Sequence, residues 1–445
     1  MSERSEAPLQ LKHLWQAAVI GIAAGGSALV FEHSVDLLGT LRVEAAAHHP
    51  AYILLPAFGL IGGLISGAIV QFCAPEISGS GIPQVKAALE GLKMPLTIRI
   101  ALWKLVAGVV ALGSGLFMGR EGPTVHIGAV IGAQLGKKSQ HDRHLAAAGA
   151  AAGLAAAFNA PLAGVLFVIE ELFRNLSVGA ITTAAFACFL ASVVTNVLHS
   201  PHTVTKLWVE HTPVTMDDLL FWPLIGIVGG VLGAGFNASV MAALRINKAM
   251  KIPTTLKVGL AGLLSGIVVA LLPHNAIDYA HLRELVIAGS TPAPLLAMMS
   301  VAFLFLTASA YGSGAPGGLF APALTIGSFG GAAVAWLQSM TTGADSMQAF
   351  AVLGMGAVFA GVARVPLTAI VIICEMTSQF ELMLPLMITC IIATLVAEKL
   401  YPRSIYDRLV DWAGYTTATP SPQPEPEPVS EPQPAAPTEP SGEQE

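Results

Sequence analysis

Three short segments carry the residue types from which an anion site could be built: Gly-Ser-Gly-Ile-Pro at 79–83, Gly-Arg-Glu-Gly-Pro at 119–123 and Gly-Ser-Gly-Ala-Pro-Gly-Gly-Leu-Phe-Ala-Pro at 312–322. Each reads as a glycine turn that opens a helix. Proline suits the first helical turn, where its missing N–H leaves no bond unmade, and glycine lets free backbone N–H groups face a ligand. A helix start carries about half a positive charge, so several starts aimed at one point attract an anion. Partial charges suit a conducted halide, because conduction needs a site weak enough to leave. Any one of these turns reads equally well as a kink between packed helices; three together point to a site.

Glu121 lies inside the second turn, where its carboxylate faces the same N–H groups that an anion would. Ionised, it imitates a bound anion; protonated, it loses that attraction and lets go. One residue could thus couple proton and anion movement, and the alternative is a plain helix-capping carboxylate. Glu170 and Glu171 end an apolar helix that begins at Pro161, and acids near membrane depth are costly and functional as a rule. Neighbours on a helix face about 100° apart, so one acid could serve a proton path while the other pairs with a cation. Lys104, on the apolar run after Ala101, either biases the local potential toward anions or pairs with a Glu.

The elements that must position these residues are apolar. The chain has 445 residues, 54% hydrophobic and 11% charged, against about 25% charged in soluble domains. That balance excludes a soluble globular enzyme. Apolar stretches run over 14–31, 51–74, 100–118, 145–169, 176–198, 219–243, 255–272, 293–310, 319–337, 347–374 and 382–398. About 20 apolar residues cross a bilayer, so the expected fold is an all-α polytopic membrane protein. Gly and Pro clusters at 78–83, 113–123, 159–161, 312–322 and 361–366 interrupt these runs. Broken helices at membrane depth are tolerated where they pack within protein or line a cavity.

Lys plus Arg number 22 against 28 Asp plus Glu, a net charge of −6, and six of the Glu fall in the last 21 residues. The remaining body is near neutral and has no basic stripe, so no nucleic-acid partner is expected. Cys73, Cys188, Cys374 and Cys390 lie in apolar runs without metal or disulfide spacing and read as buried free thiols. No HExxH occurs, and neither a metal nor any other cofactor is expected. The run from Leu14 to Phe31, preceded by Arg4 and Lys12, is long for a signal-peptide core and reads as a first membrane helix with its amino end cytoplasmic. Basic clusters at 245–257 and 399–408 mark further cytoplasmic edges. Beyond Gly414 the chain becomes a Pro- and Glu-rich stretch that reads as a disordered tail.

The sequence repeats itself. GLIGGLIS at Gly59 matches GLAGLLS at Gly259, and GREGPTVHIGAVIG matches GLFAPALTIGSFGG, pairing Gly119 with Gly318, Pro123 with Pro322, Gly128 with Gly327 and Gly132 with Gly331. Gly149, Pro161, Leu162 and Glu170 then match Gly354, Pro366, Leu367 and Glu375. The offsets of 200, 199 and 205 keep their order, which indicates a duplicated unit. Duplicated halves with interrupted helices are typical of secondary transporters, whose sites lie at the repeat interface. Spacing leaves open whether the halves are parallel or inverted.

GSGIP at 79, GREGP at 119, GSGAPGGLFAP at 312 and NAPLAGVLFVIEE at 159–171 together resemble the CLC chloride channel and transporter family, over nearly everything from residue 14 to 412. The resemblance implies a homodimer in the lipid bilayer, each subunit holding its own anion pathway between two inverted repeats. It implies a 14–412 transmembrane domain, with repeat one at about 14–200, repeat two at about 215–401 and a final helix at about 403–412, between a 1–13 cytoplasmic segment and the 413–445 tail. By motif, the Ser80 hydroxyl, the backbone at Gly81 and Ile82, the N–H groups of Leu319 and Phe320, and the hydroxyl of Tyr406 in SIYDRL would hold the central anion. Glu121 would be the external gating glutamate, and Glu171 would stand where proton-coupled members place an internal proton-transfer glutamate.

The chain departs from the best-known bacterial exchangers at Gln84 and Lys86, where they carry acids, so proton access from the cytoplasm is expected to differ. Nucleotide-sensing paired domains are not expected after the membrane body. Ser80 in place of proline resembles chloride-selective members, and intact GSGIP and GREGP argue against the fluoride-exporting branch. The expected activity is electrogenic chloride/proton antiport across a plasma (inner) membrane, with both termini cytoplasmic. A passive chloride channel of the same fold is the alternative, and an intramembrane hydrolase is disfavoured by the lack of paired intrahelical acids or a GxSG motif.

Overall fold

The computed structural model describes residues 11–92, 94–137, 142–172, 177–198, 216–271, 292–343 and 346–415. Most of the expected N-terminal segment and the acidic tail from 416 onward lie outside the described residues. Among the described residues the chain is helical, and its strand-like pairing is confined to an antiparallel bridge between Gly119 and Gly318. Eight of the described helices are long and apolar enough to cross a membrane. Large apolar side chains such as Ile22, Ile53, Phe189, Phe305 and Leu395 stay exposed on the outer helices, as a lipid-facing surface requires.

The first helix, Leu11–His48, runs 38 residues and continues well past the apolar run that predicts it. Two long apolar runs break where expected. The helix Asp142–Phe158 stops at Asn159, whose φ is 50°, and the chain restarts as Pro161–Phe167. The helix Met347–Ala363 stops at Arg364, with φ 61°, and restarts as Pro366–Thr377. Proline has no N–H for the ladder and pushes the residue before it out of helical geometry, so each restart places proline in a first turn.

The repeat is visible in the packing. Helix Glu121–Gly136 lies against Asp142–Phe158 so closely that a side chain on Gly128 would strike the Gly149 carbonyl. Helix Phe320–Thr342 meets Met347–Ala363 in the same way, with Gly327 against the Gly354 carbonyl. Helices Ala51–Ala68 and Thr254–Leu271, the equivalents around Gly59 and Gly259, cross each other antiparallel: Gly59 touches Gly262, Gly63 touches Val258 and Gly67 touches Thr255. Equivalent helices that run in opposite directions mean that the two halves are inverted.

Glycine at that crossing is a packing requirement, because small residues let backbones approach closely in lipid. Gly59→Ala is expected to destabilise by about 1–3 kcal/mol through overpacking. Gly26→Ala, where an added methyl meets open space, is expected to be neutral or to stabilise by up to about 1 kcal/mol from helix propensity. Thermal unfolding of the two variants in detergent checks the opposite signs.

Candidate functional site

The three glycine turns meet at one place. Gly119 and Gly318 exchange two backbone hydrogen bonds of 2.8 and 2.6 Å, and the Gly317 N–H donates to the Gly79 carbonyl at 3.2 Å. The Ser78 hydroxyl donates to the Gly314 carbonyl at 3.1 Å. Gly122 closes the triangle: a Cβ there would stand 2.8 Å from the Ser80 Cβ and 3.0 Å from the Gly318 Cα. Gly81, the residue before helix Ile82–Leu89, has φ 90°, a conformation that glycine adopts without penalty. Three helix starts, two from one half and one from the other, thus share one neighbourhood, and first-turn amides have no partner within their own helix.

Ser80, Ile82, Leu319, Phe320 and Tyr406 are all buried. The Ser80 Oγ accepts the Ile82 N–H at 3.3 Å, and Leu319 and Phe320 open helix Phe320–Thr342. The Phe320 ring packs edge-on against Phe167, Phe359 and Tyr406, at centroid separations of 5.3, 4.6 and 5.9 Å. Tyr406 belongs to the short helix Ile405–Trp412. Its hydroxyl is fully buried and has no hydrogen-bond partner among the described residues, a costly arrangement for a polar group unless the site offers it an acceptor. The position beside Phe320 therefore suits an anion.

Two neighbours escaped the reading of the residues. The Tyr311 hydroxyl lies 3.5 Å from both the nitrogen and the Oγ of Ser80; its signal was a tyrosine directly ahead of the Gly312 turn. His126, on the same helix as Glu121, presses its ring against Gly81.

Glu121 is the first residue of helix Glu121–Gly136 and is buried. The space that a side chain on Gly119 would fill is bounded by the Glu121 carboxylate and by the Ala321 amide nitrogen. The carboxylate of one half therefore lies beside the Gly119–Gly318 bridge, in the neighbourhood of the helix start of the other. Arg120, the residue before it, ties the turn to the first helix, its guanidinium 2.8 Å from Glu32 and 3.6 Å from Asp36.

Lys104 takes backbone carbonyls as its partners rather than a Glu. Its ammonium donates to the carbonyls of Ile77 at 2.7 Å and Gly79 at 2.5 Å, so the buried cation holds the backbone that leads into Ser80.

The adjacent acids part company, with the roles distributed in an unexpected way. The Glu170 carboxylate accepts the N–H groups of Leu367 at 3.1 Å and Thr368 at 2.7 Å, capping the helix that begins at Pro366. Glu375 does the same for the other half, accepting from Leu162 at 3.1 Å and Ala163 at 2.9 Å. These repeat-equivalent residues thus cap each other's helices, where the helix dipole favours a negative charge. Glu171, the acid expected on a proton path, is the one that pairs with a cation: Lys86 lies 2.7 Å away and Ser404 Oγ 3.3 Å away. Glu171 sits on a widened turn, Val168–Leu172, that continues helix Pro161–Phe167. No group of three or more metal-ligating side chains occurs among the described residues.

Inverted halves whose broken helices meet around buried hydroxyls and helix starts define an ion-transporting membrane protein. Residues 62–398 match the family described as voltage gated chloride channel, and the chain belongs to that CLC family. It is 34% identical over 432 residues to the H(+)/Cl(-) exchange transporters ClcA of Salmonella agona and Salmonella typhi, covering 92% of this chain and 90% of theirs. Its fold matches a slow cyanobacterial Cl−/H+ antiporter with a TM-score of 0.84 and 32% identity, over 91% of this chain and 98% of that one. A eukaryotic CLC transporter matches with a TM-score of 0.79 and 26% identity, over 91% of this chain and 74% of that one.

Proposed function

We propose that the protein is an electrogenic antiporter that exchanges chloride for protons. The observation that carries this reading is the buried Glu121 carboxylate beside the Gly119–Gly318 bridge, near the helix that begins at Phe320, where an ionised acid would compete with an anion. Helix starts at Ile82 and Phe320, the amides of Gly81, Ile82, Leu319 and Phe320, and the hydroxyls of Ser80 and Tyr406 form the anion site. Ionised Glu121 competes with chloride for the helix start, and protonated Glu121 withdraws. Glu171, buried beside Lys86, takes a proton from the cytoplasmic side and passes it toward Glu121. Within the site the local charge is balanced, because a carboxylate gains a proton where an anion gains its site, while chloride and protons crossing in opposite directions carry net charge across the membrane.

The cycle requires chloride and protons and no further cofactor. In this reading residues 14–412 form the transmembrane domain of a homodimer, embedded in a plasma (inner) membrane with both termini cytoplasmic, and 413–445 is a separate tail. The exchange activity of the ClcA relatives and of the cyanobacterial antiporter supports the assignment. The Lys86–Glu171 ion pair favours a second reading in one respect, because an acid held ionised by a cation would leave a passive channel of the same fold.

Purified protein in liposomes separates the two. With a chloride gradient, no pH gradient and the voltage clamped by potassium and valinomycin, an antiporter drives protons uphill. Chloride flux without proton movement would identify a channel.

A further inference from the structure

Lys86 stands between two carboxylates. Its ammonium is 2.7 Å from Glu171 Oε1 and 2.5 Å from Asp407 Oδ1. The three side chains come from the Ser80-bearing turn's own helix, Ile82–Leu89, from the widened turn Val168–Leu172 and from helix Ile405–Trp412, which carries Tyr406. Exposure rises in order through the group: the side chains of Glu171, Lys86 and Asp407 are 2%, 6% and 25% exposed. Ser404 ties the cluster to its helix, accepting the Asp407 N–H at 3.1 Å while its hydroxyl lies 3.3 Å from Glu171.

This arrangement bears on how Glu171 can change its protonation state. A proton on Glu171 removes the negative charge that faces a nearly buried ammonium, and an ammonium stranded at that depth is strongly unfavourable. Asp407 supplies a second counter-charge, so Lys86 keeps a partner whether Glu171 is charged or neutral. We propose that Asp407 is a positioning residue for proton transfer, holding Lys86 while Glu171 carries the proton. The inference rests on the antiport reading and concerns its internal, cytoplasm-facing step. The only bonds that change are O–H bonds: hydronium on the cytoplasmic side gives its proton to the carboxylate, one O–H breaking as the Glu171 O–H forms and water remaining, the ammonium shifts its weight to Asp407, and the return shift accompanies the proton's departure toward Glu121.

The test is Asp407→Asn in the same liposomes, with chloride and proton fluxes recorded together. Without the second counter-charge Lys86 holds Glu171 ionised, so proton flux is expected to fall about tenfold while chloride flux stays within about twofold. Asp407→Glu is expected to restore coupling. Lys86→Met placed on the Asp407→Asn background is also expected to raise proton flux again, because no ammonium remains to be stranded. A cap-and-packing role for Asp407 would instead lower both fluxes together and give no recovery with Lys86→Met; that pattern overturns the proposal, as does Asp407→Asn with wild-type coupling. Wild-type vesicles report on the antiport reading by themselves. If they move no protons uphill, that reading falls and the role of Asp407 falls with it, whereas a pumping wild type beside an unaffected variant removes the Asp407 assignment alone.

Discussion

Glu121→Gln is expected to abolish proton coupling while chloride continues to move. The substitution keeps the size and planarity of the side chain and removes its ability to ionise, so the variant resembles the protonated gate at every pH. A neutral amide near the start of helix Phe320–Thr342 no longer competes there as an anion. Removing an essential proton carrier costs about 100-fold or more, so uphill proton movement should fall below detection. Wild-type chloride flux should rise as pH falls and the carboxylate takes up protons, and the variant's profile should be flat. Liposome recordings across a pH series check both statements, and a Glu121→Gln protein that still pumps protons would end the gate assignment. The capping alternative makes a different forecast: loss of a helix-start carboxylate would lower stability by about 1 kcal/mol and leave coupling intact.

Glu171→Gln is the second large effect. An amide cannot carry the proton inward, so proton transport should drop by about 100-fold or more while chloride flux persists, because the anion site around Ser80, Phe320 and Tyr406 is untouched. The variant should still fold: Lys86 retains Asp407 as its counter-charge, and the Gln carbonyl can accept from Ser404. Intact coupling in Glu171→Gln would place the internal route elsewhere. Glu170, the neighbouring acid, is committed to the amides of Leu367 and Thr368, so Glu170→Gln should act mainly on stability.

The contrast between these adjacent acids shows how far residues alone can carry the reading. From the chain, Glu170 and Glu171 are two carboxylates at a helix end that face different surroundings, and one of them pairing with a cation is a fair expectation. Which one does so depends on residues far away: Leu367 is 197 positions from Glu170, and Lys86 and Asp407 are 321 positions apart. Lys104 makes the same point. Its burial follows from the apolar run around it, but its partners turned out to be two carbonyls of the chain leading into Ser80, which no spacing rule announces. The mutual capping of Glu170 and Glu375 was half visible, since the repeat aligns the two residues, yet alignment does not say that each reaches into the other half.

What lay open in the residues was whatever depends on short stretches of chain. Apolar length specifies helices that cross a bilayer, Pro161 and Pro366 specify where two of them break, and glycine-rich turns specify helix starts able to face an anion, because each is a property of backbone geometry within a few residues. The duplication was open for the same reason, being a comparison of local patterns. The folded molecule decided the inversion, through Gly59 crossing Gly262, and it decided the meeting of three turns, the place of Glu121 and the Lys86–Glu171–Asp407 group. Those are relations between surfaces brought together by packing, and a buried charge takes whatever partner the packing places within reach.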